Sequence, residues 1–504
     1  MRLQLIINLD MTLSMKKHTT ILFLFCITCI YSQGSKQPTF KKRVLESTEV
    51  DFLASYYKQD GSKSSVTGGI GTEKLTDVAS NITVAMPLND DDVLTIDAGI
   101  SAYSSASSSN INPFNASGAS GNSNNSGASG NDDDDDKRAN TKATSATGPY
   151  GTPWQASSGA SKSDQLVSVM ANYSHSSDSR NFIWNADVSF SNEYDYTSAG
   201  FGGGIAALFN EKNTEINIKA NVYLDQWRPI YPTELHEYSK YGNNFLNQGY
   251  FSGVTVYNEN GITATERYLP TKFKDLTLTN RNSYSASFGF SQILSKRLQL
   301  SLFFDVLQQQ GLLSTPYHRI YFADKTNFFI GQSQFIANYE SSSNSGVFKL
   351  ADDIERLPDT RFKLPIGARL NYYISERLVL RTYYRYYSDD WSIHAHTASI
   401  ELPVKISDKF TVFPTFRYYT QTASQYYAPY EKHLSTEHFY TSDPDLATFE
   451  TRQIGFGVNY TDIFASAKIW QFGLKNVDFR FHQYERTDRL KASIASIAFK
   501  FIMQ

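Results

Sequence analysis

The sequence has almost no cysteine and no long apolar segment. Its two cysteines, Cys26 and Cys29, both lie near the amino terminus. No later stretch approaches the about 18 consecutive apolar residues that a transmembrane helix requires. The 47 basic and 50 acidic residues nearly balance, which gives no support to nucleic-acid binding. These features argue against a disulfide scaffold, a helical membrane protein and a nucleic-acid-binding protein.

The amino-terminal region has the features of an export signal. Lys16 and Lys17 precede the apolar run 21–30, which is too short to span a membrane as a helix. We expect a signal peptide over residues 15–32, cleaved after Ser32, and a periplasmic segment over residues 33–48. Both cysteines would leave with the signal, so the mature chain would have no thiol for disulfides, metal binding or catalysis.

Beyond residue 48 the chain is a train of about sixteen segments in which apolar and polar residues alternate. From Ile216 to Leu224, for example, every second residue is apolar and most of the residues between them are polar. The same pattern occurs in residues 94–102, 298–306 and 364–372. Each segment has the length that a tilted strand needs to cross a bilayer, with one face for lipid and one for water.

The connections between these segments sort into two alternating sets. The short set comprises residues 87–92, 176–181, 210–213, 294–297, 375–377 and 406–409, and the long set comprises residues 104–161, 228–280, 310–361 and 421–450. A soluble sandwich would not sort its loops by length onto one end, whereas outer-membrane barrels do. We therefore predict an all-β protein: a monomeric, closed antiparallel transmembrane β-barrel of about sixteen strands over residues 49–504, with short periplasmic turns and long extracellular loops.

The long connection 104–161 is of low complexity and has few residues able to bury surface, which predicts a solvated extracellular loop. Within it, five consecutive aspartates offer carboxylate oxygens to a hard cation such as calcium: Asp132, Asp133, Asp134, Asp135 and Asp136. They lack the spaced ligands and the turn glycine of a defined calcium loop. We therefore expect weak divalent-cation binding at best, and no other cofactor.

The same loop carries a family resemblance. The tetrapeptide Ser-Gly-Ala-Ser occurs at residues 117–120, 126–129 and 158–161, after an early strand. In this the chain resembles the outer-membrane proteins grouped as domain of unknown function 3570. The resemblance implies a Gram-negative outer-membrane barrel, in a family linked by gene neighbourhood to extracytoplasmic flavin and redox proteins. It supplies no established catalytic residues.

One constellation has the residue types for hydrolysis. Asp389, Asp390, His394 and His396 surround a short connection between two strands. A histidine beside paired carboxylates can activate water, and the two histidines also have metal-ligand spacing. The face that carries the histidines, however, continues with apolar residues that would point to lipid. We therefore expect a rim position and no enzyme, with a rim hydrolase as the remote alternative.

Charged residues on the inward faces separate by sign. Asp97, Asp187, Asp225 and Asp305 fall on predicted strands three to nine, and Arg369, Arg381, Arg385, Arg417 and Arg480 fall on strands ten to fifteen. In a closed ring these are opposite walls, which would set a transverse field across the lumen. Lys219 and Glu401 break the pattern. The alternative is that these residues form buried salt bridges or hold a folded-in loop as a plug.

The expected function is passage of small polar solutes through a porin-like channel in the bacterial outer membrane. The alternative is a sleeve or anchor barrel that holds a periplasmic or surface protein partner, of redox type as the family resemblance implies. Other expected partners are outer-membrane lipid, lipopolysaccharide bridged by divalent ions, and the barrel-assembly machinery, which would recognise the closing strand near residues 490–503.

The orientation can be tested with a protease. Residues 133–137 spell the sequence that enteropeptidase cleaves. If loop 104–161 is extracellular, enteropeptidase added to intact cells should cut the chain after Lys137, and immunoblotting of the fragments measures the cut. Cleavage that requires lysis of the outer membrane would place this loop inside and invert the orientation.

Overall fold

The alternating segments form β-strands, because a strand presents successive side chains to opposite faces. In the computed structural model, which describes residues 43–105, 164–339 and 347–504, one sheet contains 18 strands. Two of them, Val404–Lys405 and Lys468–Ile469, are two-residue segments. The sixteen long strands are β1 (Glu49–Asp60), β2 (Leu75–Pro87), β3 (Asp92–Ser105), β4 (Asp164–Ser176), β5 (Phe182–Asn192), β6 (Tyr196–Phe209), β7 (Thr214–Trp227), β8 (Arg281–Ser295), β9 (Leu298–Gly311), β10 (Thr360–Ser375), β11 (Leu378–Asp389), β12 (His394–Glu401), β13 (Phe410–Gln421), β14 (Phe449–Thr461), β15 (Phe472–Arg486) and β16 (Lys491–Met503).

The sheet closes on itself. Each long strand pairs antiparallel with the next one along the chain, and β16 pairs with β1 in a register that places Phe499 opposite Phe52. Closure leaves no strand edge, so each strand has hydrogen-bonding neighbours on both sides. The predicted closed antiparallel barrel of about sixteen strands is confirmed, and a sandwich of two separate sheets is excluded.

The two faces of the strands differ as a membrane-spanning barrel requires. On β5, Val188 is 54% exposed, whereas the neighbouring Asp187 is 8% exposed. Exposed large apolar residues recur around the ring, including Ile96 on β3, Leu302 on β9 and Ile454 on β14. These residues form the apolar outer surface that faces lipid, and the alternate residues face the lumen.

All connections at one end of the ring are short, and the long loops lie at the other end, as predicted. The longest connection at the short-turn end is residues 462–471, between β14 and β15. Following the general rule for such barrels, we assign the short-turn end to the periplasm and the long-loop end to the exterior. No helix in the described segments is long and apolar enough to span a membrane.

The long loops have secondary structure and an apolar core of their own. They contain helix α1 (Thr233–Tyr241), the 3-10 turns Ser65–Thr67, Gly242–Asn247, Gly249–Phe251, Ser333–Asn338 and Pro444–Leu446, and two small two-stranded sheets that pair Arg319–Ile320 with Asp353–Ile354 and Phe329–Gly331 with Val347–Lys349. Phe245, Tyr268 and Phe348 belong to one buried cluster among these loops. We call residues 61–74, 228–280, 312–339, 347–359 and 422–448 the cap.

Several predicted features lie outside the described residues. These are the signal peptide at residues 15–32, the Ser-Gly-Ala-Ser repeats, and the aspartates Asp132, Asp133, Asp134, Asp135 and Asp136. The expectations for cleavage, for a solvated loop and for weak cation binding therefore stay predictions.

Closure of the barrel has a simple electrophoretic consequence. A closed hydrogen-bonded ring resists unfolding by detergent, so unboiled protein should migrate faster than boiled protein in a denaturing detergent gel. Boiling the same sample supplies the control. Equal mobilities of the two samples, together with recovery in a salt-washed soluble fraction, would contradict a membrane barrel.

Candidate functional site

The acidic residues predicted for the lumen lie on the inner faces of alternate strands: Asp97 on β3, Asp187 on β5, Asp225 on β7 and Asp305 on β9. Asp97 accepts hydrogen bonds from Asn81 Nδ2 at 2.8 Å and from Thr83 Oγ1 at 2.6 Å, both on β2. An oxygen of Asp187 lies 3.5 Å from Nζ of Lys219 on β7. Lys219, which breaks the pattern of signs, is thus the counter-charge of an acidic residue on this wall.

A glycine on β6 makes that pairing possible. Gly202 is opposite Asp187 in the register with β5 and opposite Asn221 in the register with β7. A Cβ atom at Gly202 would lie 2.3 Å from an Asp187 oxygen and 2.5 Å from Asn221 Oδ1. Because Gly202 has no side chain, polar side chains from both neighbouring strands can extend across β6.

The basic residues lie on the other half of the ring, on strands β10 to β15. Arg381 donates a hydrogen bond to Glu401 Oε1 at 2.8 Å, and Arg480 donates to Oε2 of the same carboxylate at 3.0 Å. Arg480 is on β15 and Glu401 is on β12, three strands away, so both side chains reach inward. Glu401, the second residue that breaks the pattern, ties two of the predicted arginines together.

The remaining arginines line the same wall. The guanidinium of Arg369 on β10 lies 5.6 Å from the ring centroid of Phe303 and 5.4 Å from that of Tyr383. Arg385 on β11 is opposite Thr397 in the register, and Arg417 on β13 is opposite Ser399. The structure thus places the predicted charges by sign on different halves of the ring, with Lys219 as a counter-charge on the acidic half and Glu401 and Asp478 as counter-charges on the basic half.

Some of these inward charges keep much of their surface accessible. The side chain of Arg381 is 49% exposed and that of Lys219 is 40% exposed. Inside a closed ring, such exposure means that protein does not cover the wall at these positions. Water in that space can solvate Arg381 and Lys219, so the Arg381–Glu401 pair resembles a surface pair, whereas the wall aspartates, such as Asp97 at 3% and Asp305 at 2% exposure, are buried.

At the long-loop end, by contrast, loops rooted on opposite sides of the ring meet. Loop 61–74 begins between β1 and β2, and loop 312–359 begins between β9 and β10, eight strands further around the ring. Arg319 Nη1 donates to Val66 O at 3.3 Å, and Val66 shares a buried cluster with Tyr317 and Trp227. In a ring of sixteen strands, contacts between these two loops must cross the mouth. The cap therefore covers the mouth of the barrel.

The centre of the cap contains a buried ion pair. Arg319 donates from Nε to Glu234 Oε1 at 2.7 Å and from Nη2 to Oε2 at 3.1 Å, and Glu234 is a residue of α1. Burial opposes the charge of Arg319, but the adjacent Glu234 carboxylate outweighs it and raises the pKa of the guanidinium. Because Arg319 also binds Val66 O, this fork-like pair connects three of the loops.

Two lysines tie the loop 422–448 to the rest of the cap. Lys349 Nζ donates to Tyr430 OH at 2.9 Å and lies 4.6 Å from the ring centroid of Tyr321. Lys272 Nζ donates to the carbonyl oxygens of Ser435 at 2.6 Å and Glu437 at 2.8 Å. The cap is thus held by polar contacts between loops as well as by its apolar clusters.

His394 and His396 take the rim position expected from the sequence, and Asp389 lies on the other face of the sheet. His394 and His396 lie on the outer face of β12, where Tyr386 OH and Tyr384 OH are 3.0 Å and 2.8 Å from their Nδ1 atoms. Asp389 lies on the inner face at the end of β11 and accepts a hydrogen bond from Arg361 Nε at 2.9 Å. It also accepts the backbone N–H groups of Trp391 and Ile393, which closes the hairpin after β11. The histidines are therefore at the lipid-facing rim, and Asp389 has a structural role.

Sequence reasoning missed two further features. His318, Glu355 and Asp443 come together within the cap. The turn 462–471 presents four large apolar residues, of which Phe464 is 82% and Trp470 is 94% exposed. For the turn, the signal was in the sequence, since two apolar pairs interrupt an otherwise polar connection. For the cluster there was none, because its members are far apart in the chain.

The closed ring, the apolar outer surface and the wet inner wall define a transmembrane β-barrel of the outer-membrane kind. The chain belongs to the family described as "Protein of unknown function (DUF3570)", whose model matches residues 21–494. The resemblance noted from the Ser-Gly-Ala-Ser loop is thus confirmed.

Solved structures share the barrel architecture only distantly. A bacterial polysaccharide outer membrane secretin has 9% sequence identity and a TM-score of 0.37, with 92% of this chain and 100% of that chain covered. OccK2 (OpdF) of Pseudomonas aeruginosa has 7% identity and a TM-score of 0.34, with 92% and 100% covered. No curated protein matches the chain. Likeness at this level carries no argument about what the protein transports or binds.

The importance of the central ion pair can be measured. Replacing Arg319 by leucine leaves Glu234 buried without its partner, so the change should destabilise the cap by about 3–5 kcal/mol. Hydrogen exchange of residues 228–280 in the folded barrel measures the loss. The matched control is Lys491→Leu, which removes one partner of the exposed Lys491–Glu485 pair and should change little. Equal protection in both variants would show that the Arg319–Glu234 pair does not hold the cap.

Proposed function

We propose that this protein is a porin-like channel of the outer membrane that passes small polar solutes, and that the cap controls its outer mouth. The observation that carries the proposal is the solvent exposure of the inward charges Arg381 and Lys219 within a closed ring. A barrel filled by its own side chains would bury such groups, whereas an aqueous channel leaves them accessible.

The chemistry of the wall favours polar solutes. Aspartates on one half of the ring face arginines on the other, and such a layout orients dipolar or zwitterionic molecules and filters ions. Lys219 and Glu401 offset part of the charge, so the net field is weaker than the count of aspartates and arginines alone would give. Selectivity should therefore respond in a graded way to single charge changes.

The cap makes passage conditional. Loops from opposite sides of the ring meet over the mouth through buried apolar clusters and the Arg319–Glu234 pair. A solute must therefore pass the cap, either through gaps between its loops or when the loops separate. Loosening the cap should increase conductance while the wall continues to set selectivity.

Planar bilayer recordings test both parts of the proposal. Replacing Arg369, Arg381 and Arg417 by alanine should raise cation over anion selectivity, and replacing Asp97, Asp187 and Asp305 should do the reverse. Both effects should shrink at 1 M salt, where the Debye length falls to about 3 Å. Arg319→Leu should increase conductance with little change in selectivity.

The matched control removes the same charge from another place. Lys296, Arg297 and Arg377 are exposed residues of the short turns, and their replacement by alanine should leave selectivity nearly unchanged. If neither the natural protein nor Arg319→Leu conducts in any condition, the channel proposal is wrong. If the control triple shifts selectivity as much as the wall triple, net charge rather than the wall decides it.

A second candidate function is a sleeve or anchor that holds a periplasmic partner protein. The turn 462–471 favours it, because Ile463, Phe464, Ile469 and Trp470 are exposed there. The turn is well defined, since Asp462 accepts the backbone N–H groups of Phe464 at 3.2 Å and Ser466 at 2.9 Å. Exposed apolar groups on an ordered turn are typical of an interaction site.

Lipid of the adjacent leaflet is the competing occupant of this apolar turn, and cross-linking separates the two. A photo-reactive residue in place of Trp470 should give one discrete protein adduct in cells if a partner docks there. Lipid adducts alone would indicate an anchor in the bilayer. A discrete protein adduct combined with absent conductance would favour the sleeve over the channel.

A further inference from the structure

Three potential metal ligands meet between two loops of the cap. His318 and Glu355 belong to loop 312–359, and Asp443 belongs to loop 422–448. One ligand atom from each residue lies within 4.8 Å of the other two. The Nδ1 atom of His318 is 3.5 Å from Glu355 Oε2 and 4.0 Å from Asp443 Oδ2.

We propose that His318, Glu355 and Asp443 bind a divalent first-row transition-metal ion such as zinc, which staples the loops 312–359 and 422–448 together. The three residues belong neither to the charged inner wall nor to the aspartate run at residues 132–136 of the sequence.

The spacing fits such an ion. Zinc binds histidine nitrogen and carboxylate oxygen at about 2.0–2.2 Å in tetrahedral geometry, which places neighbouring ligand atoms about 3.4 Å apart. The separation of 3.5 Å between His318 Nδ1 and Glu355 Oε2 is close to this value and is long for a hydrogen bond. Asp443 Oδ2, which is 4.0 Å from His318 Nδ1, would move closer on binding. Three protein ligands leave the fourth position to water.

The carboxylates are already oriented by further contacts. Glu355 Oε1 accepts a hydrogen bond from the backbone N–H of Thr315 at 2.7 Å, and Oε2 accepts from the hydroxyl of Thr441. Asp443 Oδ1 accepts from the backbone N–H of Asp445 at 3.0 Å. Outer contacts of this kind fix ligand direction in metal sites and lower the cost of ordering on binding.

A divalent cation would also balance the charge of the cluster. Glu355 and Asp443 each have an ion pair to His318 and to no other basic residue in the part of the chain that the structure describes. The side chains of His318 and Glu355 are almost fully buried, so solvent screens the two carboxylates poorly. One imidazolium offsets at most one negative charge, whereas a divalent ion bound to neutral imidazole offsets both.

The donor set selects the type of ion. Imidazole nitrogen suits zinc, iron, nickel and copper, while calcium and magnesium prefer sites built from oxygen alone. The loops that supply the ligands are rooted four strands apart in the ring, between β9 and β10 and between β13 and β14. A bound ion would therefore join two parts of the cap that no continuous strand connects, and bound ions stabilise the state that binds them.

Zinc itself is the probe for the test. The full chain, folded in detergent and stripped with a chelator at about pH 8 so that the ligands are deprotonated, is dialysed against zinc. Its metal content and the protease resistance of the cap are then measured. All samples carry asparagine in place of Asp132 to Asp136, which removes the weak site expected there. We expect one zinc ion per chain and slower cleavage of the cap when zinc is present.

Variants assign the ion to the cluster. His318→Gln and Asp443→Asn should each lose the zinc and the protection. His433→Gln should keep both, because His433 is also buried and paired with a carboxylate, Glu437, but is not a member of the cluster. Heat-dependent gel mobility confirms that each variant has a folded barrel.

A second measurement does not depend on variants. Cobalt bound in place of zinc should give the intense visible absorption of a tetrahedral site with nitrogen and oxygen ligands. The proposal is wrong if the protein with His318, Glu355 and Asp443 unchanged binds no zinc. It is also wrong if zinc stays bound after His318→Gln and Asp443→Asn. A weak octahedral cobalt spectrum would overturn it as well, and the cluster would then be a hydrogen-bonded contact between two loops. None of these readouts depends on whether the barrel conducts.

Discussion

Inside lipid every backbone N–H and C=O group must find a partner within the protein, and the rest of the structure depends on this constraint. A chain without long apolar segments can meet it only with strands that close into a ring, and β16 returns to β1 to complete that ring. Closure then forces each strand to present one face to lipid and one to the lumen. The exposed large apolar residues of the strands lie on the outer face.

The main apolar core of the described protein lies in the cap. Charged residues therefore occur in two different environments, the inner wall of the barrel and the interior of the cap. Some charges on the inner wall, such as Arg381 with Glu401, keep contact with solvent and should be replaceable at low cost, whereas the wall aspartates are buried. Charges in the cap, such as Arg319 with Glu234, are buried among aromatic side chains and must be paired. The first environment suits a selective aqueous path, and the second suits a folded cover with defined closed contacts.

These two environments bear on function in different ways. In the proposed channel, accessible wall charges such as Arg381 and Lys219 would act on selectivity, and the cap would control access from outside. The cluster of His318, Glu355 and Asp443 lies in the cap and so would act on closure rather than on selectivity. The apolar turn 462–471 is at the opposite end, where neither feature explains it, and it is the observation that keeps a partner-holding role in consideration.

The sequence by itself determined the closed ring and which face of each strand points to lipid. Alternation along a strand and the sorting of loop lengths can be read from the sequence without knowledge of tertiary contacts. It also determined the strand on which each of Asp97, Asp187, Arg369 and Arg417 lies. It also placed His394 and His396 on a lipid-facing side, where they lie in the structure. Asp389 and His394 are close in sequence, but they lie on opposite faces of the sheet, and only one of them can face inward.

What only the tertiary structure decided is the cap. Its loops have no periodicity, and pairs such as Arg319 with Glu234 or His318 with Asp443 meet because aromatic side chains from separate loops pack together over the mouth.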